Sequence, residues 1–550
     1  MIASLRFISH FMWKEKLTFF LGLLLTVGVS TLAWTGPRVI AYIIDSGVVP
    51  GNQKNILKGA LFLAAVELLR HLFNFLSQLT YATLGQNVIE RVRTQMITHI
   101  LKLPVSFFDK VTSGSMMTRV VNDANSLTDF FQSGFVSVLG NFASIAAIFV
   151  GLFTINAKLG LFLFVSFVPT AISCAWFSNK LKLVYEHARR ELSELNSKLA
   201  DLLFGMKTVR SLGLNEKKGA ELQTQINRYT SAQMGIVGIH SLFHPMLTFG
   251  TGVLLFILVW KGLPLVETHE LRIGQWIAAL SYIVSVQQPL TDISDRWNFF
   301  LAGLTSIERI REIFHERREI MGKRSPSRFQ EISFSNLSFA YHDSERSALL
   351  NVNLTLQRGD WIGVYGESGS GKSTLLQMIY GFYRAESGSL SWNGNSYLDL
   401  DYAELRSHFG MVEQFPFLFT GSIGENISLF GEHPFEPSAL RDEFKGFALI
   451  QDLLGKLDHP VNERGNNLSM GQKQMIAFLR AYLARADIWI LDEATAFFDS
   501  EAEKEVLAAL ERLNSETHSI TVIQVAHRPE ALESMDRLIR MDQGRLHHHH

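Results

Sequence analysis

From Phe131 to Ala157 the chain carries no charged residue. About 20 apolar residues cross a bilayer as a helix, and soluble cores rarely need an uncharged run this long. Five further stretches are long and apolar: Leu17 to Trp34, running on past Pro37; Gly59 to Leu84, interrupted by Glu67, Arg70 and His71; Leu159 to Asn179; Met234 to Trp260; and Ile273 to Leu290. Spans are therefore expected near residues 17–45, 57–84, 131–157, 159–180, 234–261 and 273–299. A very short turn around Asn156 and Lys158 joins the third to the fourth. Residues 1–315 read as an all-α, six-helix transmembrane domain. The rival is a large soluble bundle, which the uncharged third stretch disfavours.

The connections set an orientation. Arg91, Arg93, Lys102, Lys110 and Arg119 separate spans two and three, and Lys180 to Arg228 supply ten basic residues between spans four and five. The positive-inside rule places both connections, and both chain ends, in the cytoplasm. Apolar positions at helical spacing in Glu191 to Leu199 predict that the spans continue as helices beyond the bilayer.

Polar residues inside spans are costly and face protein or water. Glu67 and Arg70 stand one turn apart and are expected to pair, with Asn74 and Gln78 continuing that face toward a polar pathway. Gln287, Gln288 and Asp292 are further cavity candidates. His240 and His244 have i, i+4 spacing, but no third metal ligand is visible. Pro245 is expected to kink the fifth span. Cys174, the only cysteine, excludes an intrachain disulfide. Lys plus Arg (51) nearly balance Asp plus Glu (52), so no nucleic-acid partner is implied.

Helical periodicity in Ile307, Ile310, Ile313 and Phe314 ends the first domain. Residues 316–328 read as a charged linker containing Gly322 and Pro326, residues 329–546 as an α/β domain, and 547–550 as a histidine tag. The α/β reading rests on Gly366-Glu367-Ser368-Gly369-Ser370-Gly371-Lys372-Ser373-Thr374, which follows the apolar run Trp361 to Tyr365 and precedes a helical pattern. Strand, glycine loop and helix make a P-loop, whose backbone N–H groups cradle phosphates. Lys372 is expected on the β- and γ-phosphates and the Ser373 hydroxyl on Mg²⁺. Ile488 to Leu491 reads as a buried strand ending in Asp492, the Mg²⁺-organising acid, and Glu493, positioned to polarise the attacking water.

Between these elements, Leu468-Ser469-Met470-Gly471-Gln472 resembles the LSGGQ signature of ABC transporters. The other landmarks fall in that family's order. Tyr341 resembles the adenine-stacking aromatic residue, Gln414 the Q-loop glutamine, which also contacts Mg²⁺, Asn462 to Gly465 the exporter X-loop, and His527 the switch histidine. Phe107-Phe108-Asp109, Ser113-Gly114, Arg119 and Asn122-Asp123 resemble the first coupling-helix region of an exporter.

The resemblance implies an exporter-type half-transporter in a plasma or bacterial inner membrane, with ATP and Mg as cofactors. Two copies, or two related chains, would hold ATP between the P-loop of one and Ser469, Gly471 and Gln472 of the other. Expected catalytic residues are Glu493, His527 and Gln414, and the cargo an amphipathic small molecule, lipid or peptide. The alternatives are a nucleotide-gated regulatory or channel-like subunit and one half of a heterodimer. Met470 replaces the first signature glycine, and Ala496-Phe497-Phe498-Asp499 replaces the usual SALD.

Overall fold

A computed structural model describes residues 2–111, 113–319, 322–341, 346–429, 431–493, 500–517, 519–526 and 532–549. His527 and Ala496 to Asp499 lie outside the described residues. The chain forms two compact units, residues 1–102 with 111–316, and residues 103–110 with 317–550.

The first unit is helical. Its long helices are α1 (Lys16–Ile43), α2 (Gln53–Ile100), α3 (Val136–Ile155), α4 (Ala157–Phe204), α5 (Asn215–Glu267) and α6 (Ile273–His315). Among the described residues, α1, α3, α4 and α5 lie in helices long and apolar enough to cross a membrane. In α2 and α6 the apolar run is broken, by Glu67 and Arg70 in one and by Gln287, Gln288 and Asp292 in the other. With 48 residues, α4 is about 70 Å long, far beyond the hydrocarbon thickness, as the helical spacing past the fourth span anticipates. The helix α5 continues through Pro245 and Pro264 as one element.

Local chemistry sets the turns. Asn156 is extended, and its side chain accepts from the Leu159 N–H at 3.0 Å, ending α3 and capping α4 in one residue. Asn52 caps α2 the same way. Glu67 and Arg70 pair at 2.7 Å. The core of this unit joins Leu84, Val88 and Met96 of α2 to Phe130, Phe131 and the Ile307–Ile310–Ile313 stripe of α6. Leu68, Phe75, Phe249 and Phe256 are exposed, as side chains facing lipid must be.

The second unit is α/β. A four-stranded antiparallel sheet comprises β1 (Glu331–Phe339), β2 (Leu349–Gln357), β4 (Ser387–Trp392) and β5 (Asn395–Ser396), in the order β2-β1-β4-β5. The second sheet contains β3 (Trp361–Tyr365), β6 (Phe409–Val412), β7 (Ile488–Asp492), β8 (Thr521–Ala526), β9 (Arg537–Asp542) and β10 (Arg545–His549), ordered β10-β9-β3-β8-β7-β6. Here β6, β7, β8, β3 and β9 are parallel. Strands buried on both faces read as continuous apolar runs, and β3 and β7 up to Asp492 do, whereas the fully buried β8 includes Thr521 and Gln524. The edge strand β10 pairs through His547 to His549, although the sequence reading set these residues aside as a tag; a sheet edge offers backbone partners whatever the side chain.

Candidate functional site

Register brings the motifs together. Val525 of β8 pairs with Asp492 of β7, Ala526 with Tyr365 of β3, and Val412 of β6 with Leu491. The glycine loop, the Asp492-Glu493 pair and Gln414 therefore all leave the sheet at the carboxyl ends of parallel strands, where open α/β sheets bind ligands.

The loop from Gly366 to Gly371 leads into the helix α7 (Lys372–Ile379). Gly371 has φ +105°, and an added Cβ would stand 2.5 Å from the Ala348 carbonyl oxygen. Lys372 Nζ donates to the Gly366 and Glu367 carbonyls at 2.7 and 2.9 Å, which ties the side chain across the loop. Burial pulls the Lys372 ammonium below its usual range, while the nearby Glu493 and Asp492 carboxylates oppose that shift. Ser373 is exposed at the first turn of α7, and among the described residues the buried Ser370 hydroxyl has no hydrogen-bond partner. A glycine loop, an ammonium and the exposed Ser373 hydroxyl at a helix start suit a polyphosphate.

Glu493 lies just past β7 with φ +48°. A non-glycine residue in this region stores about 1–3 kcal/mol of strain and persists where the surroundings impose it. Its backbone N–H donates to the Val525 carbonyl at 3.1 Å, and its carboxylate accepts from Gln414 Nε2. Gln474, fully buried in α8 (Met470–Leu483), donates to the Gln414 carbonyl at 3.2 Å. Sequence reasoning missed Gln474, whose burial follows from packing and is not visible in the residue type alone.

Tyr341 sits beside the loop. Its hydroxyl donates to Gln377 Oε1 at 2.8 Å and lies 3.2 Å from Thr374 Oγ1. Its ring meets Phe339 and Tyr383 edge-on. Tyr383, also missed, donates to Asp109 on the short helix Val105–Lys110. Burial first, then the Asp109 carboxylate, drive the Tyr383 phenol well above its usual range.

The signature segment begins α8. Ser469 Oγ accepts from the Gln472 N–H at 3.2 Å, and the Gln472 side chain accepts from the Ser469 N–H at 3.0 Å. This capping box leaves Ser469 exposed at a helix start. Gly471 lies in the first turn. Met470 keeps helical geometry in place of a glycine.

Among the described residues no three His, Cys, Asp or Glu side chains cluster as a metal site; His240 and His244 gain no third ligand.

Comparison with known proteins identifies the family. Residues 19–290 match the ABC transporter transmembrane region, and residues 349–496 match the ABC transporter domain. The chain is 29% identical to the uncharacterized ABC transporter ATP-binding protein YknV of Bacillus subtilis over 92% of its own length and 84% of the relative's. It is 26% identical to the ATP-dependent lipid A-core flippase of Haemophilus influenzae, over 92% and 86% respectively. A solved bacterial Atm1-family ABC exporter with ATP bound shares the fold, with a TM-score of 0.77 at 22% identity, covering 96% of this chain and 93% of that one. The chain belongs to the ABC exporters, as a half-transporter that fuses a helical membrane domain to an ATPase driving export.

Proposed function

We propose that two such chains bind ATP at their shared interface and use its hydrolysis to move an amphipathic small molecule, lipid or peptide from the cytoplasmic side or inner leaflet by alternating access. The observation that supports this reading is the exposed, capped helix start at Ser469, where the Ser469 hydroxyl faces outward beside Gly471 and Gln472. A homodimer satisfies this arrangement, and so does a related partner chain. Both chain ends then lie in the cytoplasm, as the basic connections imply.

Within the site each residue has a task. Lys372 and the loop N–H groups hold the β- and γ-phosphates, and Tyr341 offers its ring to the adenine. Ser373, Gln414 and Asp492 would hold Mg²⁺, which when bound neutralises charge on the β- and γ-phosphate oxygens. Glu493 takes the proton of the attacking water as that oxygen bonds to the γ-phosphorus, and ADP leaves. Gln414 keeps the Glu493 carboxylate oriented. His527 is proposed to contact the γ-phosphate.

ATP clamps the paired surfaces, and hydrolysis removes part of the clamp. The test is ATP turnover by purified Glu493→Gln in lipid. Retained ATP binding with turnover lowered about a hundredfold or more is expected; unchanged turnover contradicts the assignment. Mass measurement of the chain purified alone separates a homodimer from an obligate heterodimer.

A further inference from the structure

The membrane unit holds a cavity of about 500 Å³ lined by α1, α2, α3 and α6. Ligand cavities of this size are usually lined by apolar side chains. This one is lined mainly by hydroxyls, amides and two charges. Asn74 and Gln78 of α2 meet Asp292 and Arg296 of α6 here, together with Ser30 and Asn141. Two polar faces that looked separate in the sequence thus converge on one space.

Hydrogen-bond accounting gives the cavity a chemical character. The Ser30 hydroxyl donates to the Thr26 carbonyl of its own helix, so it presents only acceptor capacity. Asn141 Nδ2 donates to Ser137, and Gln78 Nε2 lies 3.5 Å from Asn74 Oδ1. Among the described residues the Asn74 amide N–H₂ has no acceptor. Asp292 accepts from Gln288 Nε2 at 2.9 Å. Arg296, one helical turn away, does not pair with Asp292, and among the described residues its guanidinium has no hydrogen-bond or ion partner. A charge in a membrane domain is kept only where a partner or water meets it. Arg296 has five N–H donors in a planar fork that suits carboxylate and phosphate.

Depth adds a second constraint. Arg296 lies about 35 Å along α6 from Ile273, and Asn74 about 32 Å along α2 from Gln53. With both chain ends cytoplasmic, Arg296 lies near the inner-leaflet headgroups at the end of the sixth expected span, and Asn74 lies about 15 Å deeper, inside the second.

We propose that this cavity binds an anionic headgroup, phosphate or carboxylate, that also carries a hydrogen-bond donor: the anion on Arg296 and Asn74, the donor on Asp292. This deepens the export reading by naming the substrate's recognised end, and it rests on that reading for calling the ligand cargo. A lipid headgroup and a water-soluble anion share this chemistry, and the cavity volume fits either.

The test uses the full chain in phosphatidylcholine nanodiscs without ATP, so that it is independent of turnover. In one arm phosphatidylserine is added to the bilayer and its retention is read by native mass spectrometry; in the other, labelled O-phosphoserine is titrated in solution. Arg296→Gln is expected to weaken retention or affinity about tenfold or more, and Arg296→Lys to restore part of it. Nucleotide-analogue binding confirms that each variant is folded. Preferential phosphatidylserine retention identifies a lipid cargo, and phosphoserine binding a soluble one. Equal affinity in wild type and Arg296→Gln, or no preference for either probe over phosphatidylcholine, overturns the proposal while leaving ATP-driven export standing. Absence of ATP-dependent vectorial movement overturns export alone.

Discussion

Gln414 Nε2 donates to the carboxylate of Glu493, and the Gln414 carbonyl is held in turn by the buried Gln474. The Q-loop and the acid after β7 are thus one hydrogen-bonded assembly, anchored in the same helix that carries the signature. Gln414→Ala removes the side-chain donor but leaves the Glu493 carboxylate in place. Turnover is expected to fall about ten- to a hundredfold, less than in Glu493→Gln, because orientation is lost while the proposed base remains. Gln474→Leu should reproduce part of the loss without touching nucleotide. Equal turnover in all three variants and wild type contradicts a positioning role.

Lys372 spans its own loop by two hydrogen bonds to backbone carbonyls. Replacing it by Ala removes both the loop tie and the ammonium proposed to hold phosphate. Hydrogen bonds to charged groups contribute about 1.5–3 kcal/mol, so ATP affinity is expected to fall about ten- to a hundredfold. A titration with a fluorescent ATP analogue measures it, and an unchanged dissociation constant removes Lys372 from the phosphate site.

Gly371 is in the left-handed region and its missing Cβ faces the Ala348 carbonyl at 2.5 Å. Gly371→Ala combines backbone strain with a contact that backbone must yield to relieve, so a cost of about 1–3 kcal/mol is expected. Gly369 has φ +81° but open space around its Cβ position, so Gly369→Ala should cost less. Comparing ATP-protected melting temperatures of the two variants decides it; the reverse order contradicts the steric account.

These features differ in how far the sequence reveals them. The glycine loop is legible because its chemistry is local: glycines, lysine and helix start occupy neighbouring positions. Asp492 is legible because a buried strand ending in acids is a short pattern. The left-handed backbone of Glu493 is not, since it follows from β7 being parallel to β8 and from the bond to Val525, far along the chain. The polar faces of α2 and α6 are visible as residue types, yet their convergence depends on helix packing. Arg296 is not singled out in the sequence, because its place beside Asn74 and Asp292 around one cavity depends on how α2 and α6 pack.

Tyr383 ties the nucleotide-side aromatic cluster to Asp109 within the second unit. Tyr383→Phe keeps the ring contacts with Phe339 and Tyr341 and deletes only the bond to the carboxylate. Amide exchange over Val105–Lys110 should speed up about tenfold or more, reflecting loss of a hydrogen bond to a charged acceptor. Exchange at Tyr341 should change little. Unaltered exchange in the short helix indicates that the hydroxyl does not anchor it.

His408 Nδ1 lies 2.7 Å from Asp487 Oδ2 and joins the approach to β6 with the approach to β7, whose first residues pair as Phe409 and Ile488. The hydrogen bond from His408 holds the Asp487 carboxyl below its usual range, with burial opposing it and Arg358 and Arg328 adding to it. A depressed acid in the folded state gives stability that is present above the unfolded value of about 3.9. That stability is lost as pH falls through the lower, folded value. For a half-buried pair the contribution is about 1 kcal/mol. Asp487→Asn should therefore melt earlier than wild type at pH 7, and the gap should close as pH falls below about 4. Melting of the detergent-purified chain from pH 7 to pH 3 tests this, and a gap that stays constant through the acid range would mean that the charge on Asp487 contributes nothing.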